Sequence, residues 1–124
     1  MHTFQITVRG YELDSYGHVN NAVYVNYFEQ ARWEVLRDKK ILEKYQNSGY
    51  FIVVAENTIR YHREATLFDT LTIETTMHKQ SPYLVFKHKM KNSKDGLKTA
   101  TATVKTLLLD KERMICDFPS EFFD

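Results

Sequence analysis

Between Glu12 and Asn21 the sequence reads ELDSYGHVNN, and a helical pattern begins at its end. The first turn of a helix leaves backbone amides without intrahelical acceptors and carries roughly half a positive charge, so it stabilises an anion or a developing oxyanion beside it. Asp14 comes three positions before Gly17, whose freedom at φ lets the chain turn or approach closely and direct the carboxylate back toward that helix end. So placed, Asp14 would serve as base or nucleophile rather than as acid. A single carboxylate with backbone donors suits a reaction whose leaving group departs without a proton. A thiolate, from a thiol of pKa about 8.5, does so, whereas amides and alkyl esters need protonation. Thioester hydrolysis is therefore the chemistry that fits, with backbone amides of the helix start as the oxyanion donors. His18 has the chemistry to orient water or act as a second base, but its distance along a loop does not establish a dyad with Asp14. The plainer reading stands beside this one: an Asp-x-x-Gly turn, a loop histidine, and Asn20 and Asn21 as helix caps.

The elements that must hold these residues follow from periodicity. Thr3 to Val8 alternates as a strand with Phe4, Ile6 and Val8 on one face. From Asn21 to Asp38 the period becomes helical, with Tyr24, Tyr27, Phe28, Ala31 and Val35 on one stripe and Val25, Trp33 and Leu36 off it. Apolar residues on so much of the circumference predict a central helix wrapped by its neighbours. Asn20 or Asn21 suits the N-cap, and Arg37, Lys39 and Lys40 suit the opposite end of the dipole. After a weaker helical or looped stretch from Ile41 to Tyr50, the runs Tyr50–His62, Thr70–Met77, Tyr83–Met90 and Lys98–Leu109 read as antiparallel strands. Ser81-Pro82 and Asn92 to Gly96 supply turns. One strand, one principal helix and four further strands predict an α+β domain over residues 1–124, with a curled five-stranded antiparallel sheet around one helix. Its unpaired edges favour joining two sheets in a homo-oligomer.

Composition narrows the class. Hydrophobic residues make up 43% of 124 positions, with two prolines and four glycines, as in a folded globular chain. Seventeen basic against sixteen acidic residues give a formal charge of +1, which removes a general electrostatic reason to bind nucleic acid or an anionic membrane. The lone Cys116 has no intrachain disulfide partner, and no apolar run approaches the ~18 residues of a membrane span. The N-terminal stretch alternates polar and apolar residues instead of resembling a signal peptide, so a cytoplasmic location is the default expectation. No glycine-rich nucleotide loop or serine-centred elbow occurs, His62, His78 and His88 are too scattered for a metal site, and Cys116 reads as a small apolar residue.

The stretch VRGYELDSYGHVNNAVYVNYFEQARWEVL, followed by FIVVAENTIRYHREATLFDTLTIET, resembles the hotdog-fold acyl-CoA thioesterases related to 4-hydroxybenzoyl-CoA thioesterase. It is most similar to bacterial long-chain acyl-CoA thioesterases, and HVNN is also similar to plant acyl-carrier-protein thioesterases. The resemblance implies a hotdog fold, with Asp14 as catalytic acid residue and the Asn21 amide polarising the thioester carbonyl, while Gly17, His18 and Asn20 fill the connecting signature. The plant enzymes carry an asparagine where this chain has Tyr16, so their polar constellation does not transfer whole. Glu29 lies about two turns into the helix, a poor match to family members with a helical catalytic glutamate, and reads as a structural group. The resemblance further implies active sites between two subunits, a homodimer assembling into a homotetramer, and no cofactor. Tyr24, Tyr27 and Phe28 then become candidate walls for the acyl chain, beside the plainer reading that they are core. Arg60, His62 and Arg63, or else Lys87, Lys89 and Lys91, become candidates for the phosphates of coenzyme A, beside the plain reading of solvated strand faces.

The substrate expected is thus an acyl-CoA, with acyl-carrier protein as the alternative carrier, in a lipid-metabolic setting. Two other functions compete. A dehydratase on the same fold needs a histidine and an acid at the substrate's carbon atoms, and only one such acid is evident. A non-catalytic acyl-thioester binder has no use for a carboxylate beside the carbonyl, since burying one without partners is costly.

Overall fold

A computed structural model describes residues 1–123. In chain order it contains β1 (His2–Thr7), α1 (Asn21–Asp38), α2 (Leu42–Asn47), β2 (Phe51–Tyr61), β3 (Thr70–Gln80), β4 (Tyr83–Asn92), β5 (Lys98–Leu109) and β6 (Ile115–Cys116). Every strand pairing is antiparallel, in the order β1-β3-β4-β5-β2, with β6 added on β5. The sheet therefore has six strands rather than the expected five. The extra one pairs only Leu108 with Cys116 and Leu109 with Ile115, too short to show a period-2 pattern. No helix among the described residues is long and apolar enough to cross a membrane.

Alternation decides which face the helix covers. Leu71, Ile73 and Thr75 of β3, Leu84, Phe86, His88 and Met90 of β4, and Ala100, Ala102, Val104, Thr106 and Leu108 of β5 are all buried, and the register sets them in rows across the sheet. Against these rows α1 lays its stripe of Tyr24, Tyr27, Phe28, Ala31 and Val35, joined by Leu36. Removing each large apolar side chain of this interface from water contributes about 1.5–3 kcal/mol, which makes helix and sheet interdependent.

The wrapping is one-sided, contrary to the expectation of a helix covered all round. Val25 and Trp33 are exposed, on the side of α1 turned from the sheet rows. Farther along, Glu29, Arg32, Trp33 and Leu36 of α1 border a cavity with Ile52 and Val54 of β2. A bulge between Val54 and Glu56 interrupts the β2 ladder beside it.

Candidate active site

Asp14 sits at the tip of a tight loop. Leu13 and Val19 form a bridge across its base, the Asp14 N–H donates to the His18 carbonyl at 2.7 Å, and the Gly17 N–H donates to the Asp14 carbonyl at 3.1 Å. Gly17 has φ +80 with nothing within 4 Å of an added Cβ, so glycine is required by the turn and not by close approach. Asp14 Oδ1 accepts the backbone N–H groups of Tyr16 at 2.9 Å and His18 at 3.2 Å. This Asx-type arrangement occupies one carboxylate oxygen and leaves Oδ2 without a protein donor among the described residues. His18 meets Asp14 through its main chain, and no hydrogen bond joins the two side chains, so the structure builds no dyad between them.

The loop is stitched to the rest of the fold on both sides. Val19 N–H donates to Ala65, Asn20 N–H donates to Glu12, and His18 bridges Thr66. Asn20 is the N-cap: its Oδ1 accepts the Ala22 N–H at 2.9 Å, while its carbonyl accepts the Val23 N–H. With those two amides taken, the exposed Asn21 N–H has no protein acceptor among the described residues. The Asn21 carbonyl in turn accepts the Tyr61 hydroxyl at 3.2 Å, tying the start of α1 to the end of β2.

Behind the loop lies a cluster that sequence reasoning passed over. Glu12 is only 6% exposed. Its Oε1 accepts the Arg9 backbone N–H at 2.8 Å and the Tyr27 hydroxyl at 2.8 Å, and Arg9 reaches Oε2 at 2.7 Å. Burial pushes the Glu12 carboxyl up, but the hydrogen bonds from Arg9 and Tyr27 outweigh it and hold the group below its usual range. Tyr27 is raised, first by burial and then by its bond to Glu12. The polar approach to the helix gave Glu12 no distinguishing mark, and its partner Tyr27 stands on a different element.

The remaining sequence candidates scatter. Tyr24, Tyr27 and Phe28 are 3%, 1% and 1% exposed and are core side chains, not walls of an open pocket: Tyr27 is tied to Glu12 and Phe28 stacks on the His88 ring at 5.1 Å. Tyr24 packs edge-on to Tyr61 at 5.2 Å. Arg60 is exposed, His62 is hydrogen-bonded to the Thr101 hydroxyl at 3.1 Å, and Arg63 pairs with Asp95 at 3.4 Å, so the last two are engaged apart from the loop. Lys91 is likewise paired, with Glu74. The wall that sequence reasoning missed lies farther along α1, where Glu29, Arg32, Trp33 and Leu36 face Ile52 and Val54 of β2 across a cavity of about 270 Å³.

The family model of the thioesterase-like superfamily matches residues 8–124. The chain belongs to this superfamily. Within it, the chain is 42% identical over 73 residues to the long-chain acyl-CoA thioesterase FadM of Escherichia coli, a match covering 59% of this chain and 55% of that protein. It is 39% identical over 61 residues to the chloroplastic acyl-acyl carrier protein thioesterase ATL3 of Arabidopsis thaliana, covering 48% of this chain and 32% of the relative. The matched stretch thus spans about half of one curated relative and a third of the other. Among solved structures, the probable thioesterase YbaW from Escherichia coli superposes with a TM-score of 0.85 at 31% identity, over 92% of this chain and 87% of that one. The family's hotdog fold accounts for the antiparallel sheet and single long helix.

Proposed function

We propose that the protein is a thioester hydrolase acting on acyl-CoA, and that Asp14 and the Asn21 amide form its reaction centre. The observation that carries this reading is the pairing of a carboxylate oxygen and a helix-start N–H, both left without protein partners, on a loop stitched to the helix they flank. Asp14 takes a proton from water, and the hydroxide attacks the thioester carbonyl carbon. The carbonyl oxygen becomes an oxyanion held by the Asn21 N–H, where the helix dipole also favours it. Collapse of the tetrahedral species breaks the carbon–sulfur bond and expels the thiolate, which takes up the proton. Direct attack by Asp14, giving an anhydride that water then opens, uses the same groups.

Gly17 and Asn20 position the loop and cap the helix, and His18 borders the site as a supporting group. That FadM is an acyl-CoA thioesterase supports coenzyme A as carrier, and that ATL3 is an acyl-acyl carrier protein thioesterase supports acyl-carrier protein as the alternative. Residues 1–124 act as one domain, in the cytoplasm. The free outer edge of β2, with Val54 and Tyr61 exposed, supports a homodimer that closes the site and assembles further into a homotetramer.

The test is to incubate purified protein with acyl-CoAs of graded chain length and follow free thiol. Thiol release that saturates with substrate supports the hydrolase. Saturable binding without thiol identifies a binder, and a change in enoyl absorbance without thiol identifies a dehydratase.

A further inference from the structure

Arg32 stands in the buried stripe of α1 yet carries a charge. It is 8% exposed, and its Nη1 donates to His88 Nε2 at 3.3 Å. His88 Nδ1 lies 2.8 Å from the Thr75 hydroxyl. Burial, and after it the Arg32 charge, pushes His88 down to about 3, so the ring is neutral and accepts at Nε2 while Nδ1–H donates to Thr75. The guanidinium also sits 6.0 Å from the Phe86 ring centroid. A guanidinium has five N–H donors, and this one spends a single donor on a neutral acceptor.

No carboxylate among the described residues lies within ion-pair distance of Arg32. Glu29 favours the cation only through space, while burial pushes Arg32 below its usual value. Burying a cation without a counter-charge is costly, and a fold selected for stability alone does better with an apolar side chain there. Among the described residues only His2 Nδ1 is sealed from solvent without a partner, so the unspent Arg32 donors are not sealed, and Arg32 lines the cavity. Thr106, a neighbour on the same floor, already gives its hydroxyl to the Leu84 carbonyl at 2.8 Å. Glu29 and Gln46 also border the cavity, and most of the remaining wall, Trp33, Leu36, Ile52 and Val54 among it, is apolar, a surface for an alkyl chain.

α1 and β2 run side by side in opposite directions, with Asn21 beside Tyr61 at one end and the Arg32 cavity beside Ile52 at the other. From Asn21 to Arg32 the helix rises ~16 Å, the reach of an extended chain of about a dozen carbons. We propose that this cavity receives the far end of the acyl chain and that Arg32 binds a carboxylate there, so that the protein selects acyl thioesters with an ω-carboxylate. The inference rests on the acyl-thioester reading above and names its substrate class.

Binding of half-esters, which carry a carbonyl at one end and differ only at the other, tests it without requiring turnover. Trp33, the only tryptophan of the chain, lines the cavity, so its fluorescence reports occupancy. Monomethyl dodecanedioate and methyl dodecanoate are titrated into wild type, Arg32→Met and Arg32→Lys. The expected result is at least tenfold tighter binding of the ω-carboxylate ester by wild type, loss of that difference in Arg32→Met, and partial retention in Arg32→Lys. Equal binding of the two esters by wild type, or a preference that survives Arg32→Met, overturns the proposal. Should Arg32→Met fail to fold, Arg32→Gln, neutral but polar, takes its place with the same loss expected. Absence of thiol release from acyl-CoAs would remove the hydrolase reading and leave this binding result separately legible.

Discussion

At the start of α1 the polar atoms of Asp14, His18 and Asn20 find their partners within a few residues and remain near solvent. Three turns along the same helix, Arg32, His88 and Thr75 find theirs across two strands, in the core. The first arrangement costs little desolvation and leaves two polar groups of opposite character free for a substrate. The second gives up hydration and recovers only part of it, which is tolerable where the ligand supplies the remainder. Between the two ends lies the ordinary apolar contact of Tyr27 and Phe28 with the sheet, which holds both in place.

That division makes the largest expected effect one at the middle, not at either end. Phe28→Ala removes a ring buried against His88 and should cost ~3–5 kcal/mol, read as a lowered urea midpoint. A loss under ~1 kcal/mol would mean that the helix is not anchored there and that the two ends are independent. Next comes the pH response of the buried end. His88 is held down to about 3, so between an unfolded value near 6.5 and that folded value the unfolded chain binds the extra proton. Stability should therefore be full above pH ~6.5 and fall as pH drops toward 3, at a slope approaching ~1.4 kcal/mol per pH unit. Urea midpoints measured from pH 8 to 4 should show this limb in wild type and a much flatter one in His88→Gln. An unchanged limb in the variant would place the acid sensitivity elsewhere, with Glu12 the next group to test because its own carboxyl, held low, loses its contribution as pH falls. The smallest effect belongs to the exposed end. Asn20→Ala deletes the cap on Ala22 and should cost ~1 kcal/mol by thermal melting, a value that would rise well above this only if the loop carried stability as well as chemistry.

The same contrast explains what could be read from the sequence. Asp14, Gly17 and Asn20 were legible because turn and cap chemistry involve near neighbours, and the limits of α1 and β5 followed from strong periodicity. Arg32, His88 and Thr75 were not, since their contacts span separations of 56 and 13 residues; the available clue was a charge within the stripe of Phe28, Ala31 and Val35. Periodicity identifies Tyr24, Tyr27 and Phe28 as a buried face without saying whether protein or ligand buries it. Leu36 looked peripheral on the helix yet is buried, because Ile41 and Phe122, distant in sequence, belong to the same buried cluster. The five-strand reading missed β6, whose two residues pair only through the tertiary fold.

Free thiol release from an acyl-CoA, compared between wild type and Asp14→Asn, examines the reaction centre most directly. Asparagine can still accept the Tyr16 and His18 amides that shape the loop, but it offers neither a basic nor a nucleophilic carboxylate oxygen. The rate should fall at least a hundredfold while the melting temperature stays within a few degrees of wild type. A variant that folds alike and hydrolyses the thioester at the wild-type rate would contradict the account.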